Sequence, residues 1–350
     1  MRGYIEINGR RIGSGYPVYV VAEISSNHLQ DFDKAVRLIK AAKDAGADAV
    51  KIQTFTPDTL TISSDREYFR IKGGTPWDGN TLYDLYRKSY MPWEWHPKLK
   101  LIANKAGIDL FSTAYDPSSV EFLEEMANPA YKVSSFEIVD IPLIKRIAGT
   151  GKPIIISTGM ATLAEIEEAI KAAKGAGAKQ IALLKCASAY PAPPEDMNLL
   201  TIPDMIKKFH IPVGLSDHTL GIAVPAAAAA LGASIVEKHL TLSRDIPAPD
   251  SAFSLEPNEF KAMVGAIRIV EKSLGKVRYR CSPGEVKSKL FRRSLFVVKD
   301  VKKGEKLTED NVRSIRPSYG LPPKYLKDVS GRRAAKDIER GTPLIWDLIA

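Results

Sequence analysis

The sequence predicts an α/β protein built on a (β/α)8 TIM barrel, followed by a separate, small, β-rich domain, and three observations carry that prediction. Short apolar, β-branched runs alternate with helical patterns along the chain, the pattern of a parallel sheet. The alternation repeats eight times and ends near residue 275, close to the roughly 250 residues such a barrel takes. Beyond it, short strand-like runs broken by Gly and Pro take over.

In chain order the strands are expected at YVVAEIS (19–25), AVKIQTF (49–55), DLFSTAY (109–115), AYKVSSFE (130–137), PIIISTG (153–159), QIALLKCAS (180–188), VGLSDHT (213–219) and SIVEKHLTL (234–242). Helical periodicity follows each, most clearly in FDKAVRLIKAAKDAG, TLAEIEEAIKAAKGAG and NEFKAMVGAIRIVEKSLG, and several of these stretches end in Gly, the usual left-handed cap. Residues 1–275 are therefore read as the barrel and 276–292, with Pro283 and a run of charges, as a linker. Residues 293–350 are read as the second domain, with strands in SLFVVKDVKKGEKL, DNVRSIRP and TPLIWDLI.

Composition narrows the function classes. Hydrophobic content of 45% and charged content of 26% are those of an ordinary globular protein. Cys186 and Cys281 are too few for a disulfide framework, which points to a reducing compartment. The first residues lack the apolar core of a signal peptide and no apolar run approaches a membrane span, so a cytoplasmic protein without a membrane partner is expected. The formal charge of +9 is spread over helical surfaces with no nucleic-acid module signature beside it. It suits an anionic small substrate rather than a nucleic acid.

The polar residues gather at the strand ends, where a barrel of this kind builds its site. They include Glu23, Asn27 and His28; Lys51 and Gln53; Thr113; Lys132, Ser135 and Glu137; Ser157; Lys185 and Tyr190; Ser216, Asp217 and His218; and Glu237, Lys238 and His239. Any one of them could be a satisfied rim residue, but charges inside a barrel are costly unless paired with each other or with a ligand. Lys51 and Lys132 with the hydroxyls of Thr113, Ser135, Ser157 and Ser216 form the mixture a phosphate or phosphate-plus-carboxylate ligand requires. With no Walker sequence, side chains rather than a Gly-rich loop would hold the anion. The two lysines also admit a Schiff-base aldolase, although the hydroxyls beside them favour anion binding. His218 and His239 end neighbouring strands, so their imidazoles come together as candidate ligands of a divalent metal. Completed by carboxylates or water, such a pair suits Mn2+, Mg2+ or Fe2+ at least as well as zinc. His28 and His96 are weaker candidates, and His210 is read as a helix end.

These residues resemble the sialic acid synthase family, and more closely its pseudaminic acid branch. AEISSNH, KIQTFTPDTLT, YKVSSFE, IISTGM, GLSDHTLG, EKHLTL and PAPDSAFS occur in order, and the tail resembles the antifreeze-like (SAF) domain. The resemblance implies condensation of phosphoenolpyruvate with an N-acetylated amino sugar to a nine-carbon 2-keto acid. For the pseudaminic branch the sugar is 2,4-diacetamido-2,4,6-trideoxy-L-altrose; for the N-acetylneuraminate or legionaminic branches it is N-acetylmannosamine or a related sugar. A more distant alternative is a silent sugar- or ice-binding protein. The family match assigns phosphoenolpyruvate to Lys51, Thr113, Lys132, Ser135, Ser157 and Ser216, a divalent metal, Mn2+ or Mg2+, to His218 and His239, and chemistry to Glu23, Gln53 and Glu137. Tyr190, Asp250 and Asn27 are implied sugar contacts. Arg316 is another, reaching the sugar from the SAF domain of a partner in a domain-swapped homodimer.

Two departures from the family pattern stand out. Gln30 replaces the Gly usual two residues after the Asn-His pair, and Met91 replaces a Thr. Met91 lies in LYDLYRKSYMPWEWH (82–96), a run holding Tyr83, Tyr86, Tyr90, Trp93 and Trp95. The run follows the second strand, so it is expected over the barrel mouth, in part as a short helix packing Leu82, Leu85 and Tyr86 inward. Tyr90 and Trp93 are expected to meet the sugar, an aromatic wall suiting a methyl in place of a hydroxymethyl.

Overall fold

The computed structural model describes residues 3–75 and 77–350, which divide into two compact units at Gly275/Lys276. The first unit opens with a hairpin, β1 (Tyr4–Ile7) and β2 (Arg10–Gly13), joined through Asn8 and Gly9, both with positive φ. Asn-Gly between alternating apolar residues is a strong short-range hairpin signal.

Eight parallel strands then close into a barrel: β3 (Tyr19–Glu23), β4 (Ala49–Thr54), β5 (Asp109–Ala114), β6 (Tyr131–Val133), β7 (Ile154–Ser157), β8 (Ile181–Cys186), β9 (Val213–Asp217) and β10 (Ile235–His239), with β10 pairing back onto β3. All eight fall within the expected runs, and the largest difference is at β6. There the chain leaves the ladder after Val133, and Ser134–Glu137 turns, with the Glu137 N–H donating to the Ser134 carbonyl at 3.2 Å.

The helices form because their apolar residues recur every three to four positions and their first turns are capped. Phe32–Asp44 buries Ala35, Leu38, Ile39 and Ala42 and is capped by the Asp31 carboxylate. Leu163–Gly175 buries Ile166, Ala169, Ile170 and Ala173 behind a Thr162–Glu165 capping box. Pro257–Leu274 buries Phe260, Met263, Val264 and Ile267.

The lower interior of the barrel is apolar. Tyr19, Val21, Ala49, Phe111, Ile155, Leu184 and Ile235 pack there with Ile5, Ile7 and Ile12 of the hairpin. The hairpin is fastened to the N-terminal ends of the strands. The Glu6 N–H donates to Gln180 at 2.6 Å, Asn8 donates to Asp109 at 2.7 Å, and Arg10 pairs with Asp48 at 2.5 Å. Packing is tight enough that a Cβ at Gly214 would lie 2.8 Å from that of Ile235, so only glycine fits.

The second unit has its own core of Leu295, Val297, Val301, Leu307, Val312, Leu321, Val329, Leu344 and others. Its one two-stranded sheet among the described residues pairs β11 (Ser294–Val297) with β12 (Val312–Ile315). The expected third strand, TPLIWDLI, is instead a bridge at Pro343 followed by a helical turn over Trp346–Leu348, because Leu344 divides its backbone bonds between Leu295 and Leu321.

Candidate active site

Side chains alternate along a strand, so residues two positions beyond the apolar interior set also point into the barrel. That step takes Val21 to Glu23, Ala49 to Lys51, Phe111 to Thr113, Ile155 to Ser157, Leu184 to Cys186 and Ile235 to Glu237. All of these except Thr113 line a cavity of about 540 Å3 at the C-terminal end of the barrel, together with Gln53, Lys132, Ser135, Glu137, Ser216, His218, His239, Tyr190 and Asp250. Parity also excludes residues. Lys238 and Asp217 point outward and form an ion pair at 2.5 Å, and Lys185 turns out to donate to the Cys186 carbonyl at 3.0 Å.

The floor is a closed set of charges. Lys51 pairs with Glu23, lies 3.6 Å from Glu237, and donates to Thr113 at 2.9 Å. Lys132 pairs with the same Glu237 oxygen at 3.1 Å, and Ser216 donates to it at 3.4 Å. Glu237 thus bridges both lysines, a position the sequence reading did not assign it, although it stands two residues before His239. Burial raises the Glu23 carboxyl, with Lys51 opposing, and holds Lys132 below the ordinary lysine range against the pull of Glu237. Burial would also raise Glu237, but Lys132 and Lys51 outweigh it and keep the group low and ionised.

Around the floor stand donors. The Ser157 hydroxyl is buried without a partner. Ser135 accepts from the Gly159 N–H at 3.1 Å, and a side chain at Gly159 would come within 2.7 Å of that oxygen. Glu137 accepts from Ser134, and burial raises its carboxyl.

His218 and His239 face each other with ring centroids 5.4 Å apart. His218 Nδ1 donates to the Ala187 carbonyl at 2.9 Å, which leaves Nε2 as the free lone pair, the arrangement common behind metal-binding histidines. His239 Nδ1 is buried without a hydrogen bond, 4.0 Å from Asp250, and burial keeps this imidazole neutral. The pair therefore fits a divalent cation. Among the described residues no set of three or more His, Cys, Asp or Glu is arranged to hold a metal, so water or substrate would complete the shell. Asp250 accepts from both Ser25 and Ser26, two cavity residues the sequence reading passed over. Cys186, also passed over, lies 3.8 Å from His218; burial alone would raise the thiol, but His218 brings it down to about 7.

One side of the cavity is apolar and comes from the segment between β4 and the helix His96–Ala106. Phe55, Leu60, Ile71, Trp77, Leu82, Leu85 and Tyr86 line it. Helix Leu82–Ser89 forms as expected, with Leu82, Leu85, Tyr86 and Ser89 on the cavity face. Trp77 was not foreseen; its indole N–H donates to the Pro249 carbonyl at 3.1 Å and its ring lies 5.5 Å from Tyr190.

Tyr90 and Trp93 do not line this cavity. The chain turns at Pro92, and Trp93 folds back to stack on Phe122 at 4.8 Å while its N–H donates to the Phe55 carbonyl at 3.1 Å. Asn27 also lies outside the lining; its amide braces the chain after β10 through Leu240 and Ser254, both at 2.9 Å. His28 packs edge-on against Trp95, His96 bonds Thr54 at 3.0 Å, and His210 is the left-handed end of helix Thr201–Phe209. Arg316 is exposed in the second unit, directly after β12.

Comparison with known proteins adds to this geometry. The NeuB family model matches residues 38–279 and the SAF domain model residues 292–350. The chain is 46% identical to a pseudaminic acid synthase of Campylobacter jejuni, over 93% of this chain and 95% of that protein. It is 45% identical to the pseudaminic acid synthase of Helicobacter pylori, over 95% and 97% of the two chains. Among solved structures, an N-acetylneuraminic acid synthetase from Leptospira borgpetersenii, in complex with citrate, superposes with a TM-score of 0.72 at 31% identity, covering 81% of this chain and 94% of that one.

Proposed function

This chain belongs to the NeuB family, and we propose that it is a pseudaminic acid synthase, condensing phosphoenolpyruvate with 2,4-diacetamido-2,4,6-trideoxy-L-altrose and releasing inorganic phosphate. The observation that carries the reading is the buried floor, where two lysines, held by two carboxylates, lie beside the unpartnered Ser157 hydroxyl.

Lys51 and Lys132 neutralise the phosphate and carboxylate of phosphoenolpyruvate, the hydroxyls of Ser135, Ser157 and Ser216 supply donors around them, and Thr113, outside the cavity lining, accepts from Lys51 and positions it. His218 and His239 would hold a divalent cation, Mn2+ or Mg2+, which when bound supplies Lewis-acid polarisation of the sugar's aldehyde oxygen. The enol C3 forms the new bond to the aldehyde carbon, whose oxygen takes up a proton. Positive charge develops at C2. Glu23, with Gln53 and Glu137 nearby, stabilises that charge and steers a water to it; the water adds its oxygen to C2 and gives up a proton. Collapse of the resulting tetrahedral centre breaks the C2–O bond to phosphate and leaves the 2-keto acid. No covalent bond to the protein is required. Tyr190 and Asp250 stand where the sugar would lie.

The apolar side of the cavity favours a 6-deoxy sugar, since Leu60, Ile71, Leu82 and Leu85 offer a methyl group contact. N-acetylneuraminate or legionaminic acid synthesis is the second reading, with the same floor and a different sugar. A C2 dimer belongs to the proposal, with Arg316 of the SAF unit meeting the N-acetyl group in the partner subunit.

Phosphate release from phosphoenolpyruvate, measured with each candidate sugar and with and without Mn2+, tests the proposal. Fastest release with the trideoxy sugar is the expected result. Preference for N-acetylmannosamine would favour the second reading, and no release with any sugar would sink both.

A further inference from the structure

One contact outside the cavity is explained by neither the barrel nor the proposed chemistry. Leu29 and Gln30 have φ of +51° and +52°, in the left-handed region where L side chains are strained. Glycine at position 30 would relieve that strain, yet this chain carries glutamine. Its Nε2 donates to the carbonyls of Arg87 at 2.9 Å and Tyr90 at 3.2 Å. Both lie at the C-terminal end of helix Leu82–Ser89, where the last carbonyls lack intrahelical partners. The base of the tie is itself fixed. The Gln30 N–H donates to His28 Nδ1 at 2.9 Å, and His28 is buried against Trp95.

The helix is thus held at both ends, by Thr81 accepting from the Asp84 N–H at its start and by Gln30 at its finish. The same helix carries Leu82, Leu85 and Tyr86 into the cavity. The Trp77–Pro249 hydrogen bond is a second strut on the same side, since Gln30, Lys88 and Pro249 border one surface hollow.

We propose that Gln30 is a positioning residue for sugar selection: it lies outside the cavity lining and fixes the end of the helix that supplies Leu82, Leu85 and Tyr86 to the apolar wall. The inference rests on the reading of that wall as a deoxy-sugar site. Hydrogen exchange and steady-state kinetics on full-length Gln30→Gly test it, because glycine tolerates the positive φ while the tie is lost. Amide exchange over residues 85–90 is expected to quicken by about threefold or more. The Michaelis constant for the sugar should rise by about fivefold, while that for phosphoenolpyruvate and the melting temperature stay unchanged. Gln30→Arg keeps N–H donors facing carbonyls at a helix C-terminus and is expected to restore both protection and the sugar constant. Unchanged exchange over 85–90 overturns the proposal whatever the reaction, as does an equal rise in both Michaelis constants. Faster exchange in Gln30→Gly, alongside an unaltered chain that releases no phosphate with any sugar, supports the tie and overturns the reading of the cavity instead.

Discussion

The floor and the wall of the cavity are made in opposite ways. Floor residues sit on eight hydrogen-bonded strands, carry charge, and balance each other: Lys51 and Lys132 against Glu23 and Glu237. Wall residues sit on an insertion after β4, carry no charge, and are held from behind by side-chain hydrogen bonds to backbone carbonyls, two from Gln30 and one each from Trp77 and Trp93. A rigid scaffold preorganises charge for a reaction, whereas an insertion can vary with the sugar without disturbing it.

Substitutions that strike one region and spare the other sharpen this contrast. The largest effect is expected from Lys132→Met, which removes a floor cation while Glu237 keeps Lys51. Turnover with phosphoenolpyruvate should drop by about 1000-fold with the fold retained, seen as lost phosphate release at an unchanged circular dichroism spectrum.

Acid should strike behind the wall. Burial lowers His28 and His96 from 6.5 to about 4, so the unfolded chain takes up protons between these values that the folded chain refuses. Stability from this source is complete above pH 6.5 and is lost as pH falls toward 4, by about 3 kcal/mol for each ring. Urea unfolding at pH 7 and pH 4.5 measures it; equal stabilities would mean that the rings are not held neutral.

Leu85→Ser places a hydroxyl in the wall and leaves the floor intact. The preference for the trideoxy sugar over N-acetylmannosamine should fall about tenfold in kcat/KM, with the phosphoenolpyruvate constant unmoved. The smallest effect is assigned to Trp93→Phe, which loses its bond to Phe55 outside the cavity. It should cost about 1 kcal/mol in chemical denaturation and leave the sugar ratio within about twofold. A larger change in that ratio would return Trp93 to the sugar site.

This contrast also explains what could be read from the chain alone. The barrel was legible because eight strand and helix patterns repeat, and the floor because chemically capable residues recur at strand ends. Glu237 was readable by parity with His239, and the same parity separates Lys238, Asp217 and Lys185 from the site. The wall was less legible. Helical spacing foretold the inward face of Leu82, Leu85 and Tyr86, but nothing local distinguishes Trp77, which faces the cavity, from Trp93, which stacks on Phe122. Trp77 is presented by a loop in which Asp78 accepts from the N–H groups of Gly73, Gly74 and Thr75, and such a contact depends on how distant segments meet.

The hairpin of β1 and β2 stoppers the barrel from beneath, with Ile5, Ile7 and Ile12 buried among the lower interior residues. With that base filled by apolar side chains, Lys51, Lys132 and Glu237 above it meet the cavity at the C-terminal strand ends, so the charge of the barrel interior is gathered at one end of the scaffold.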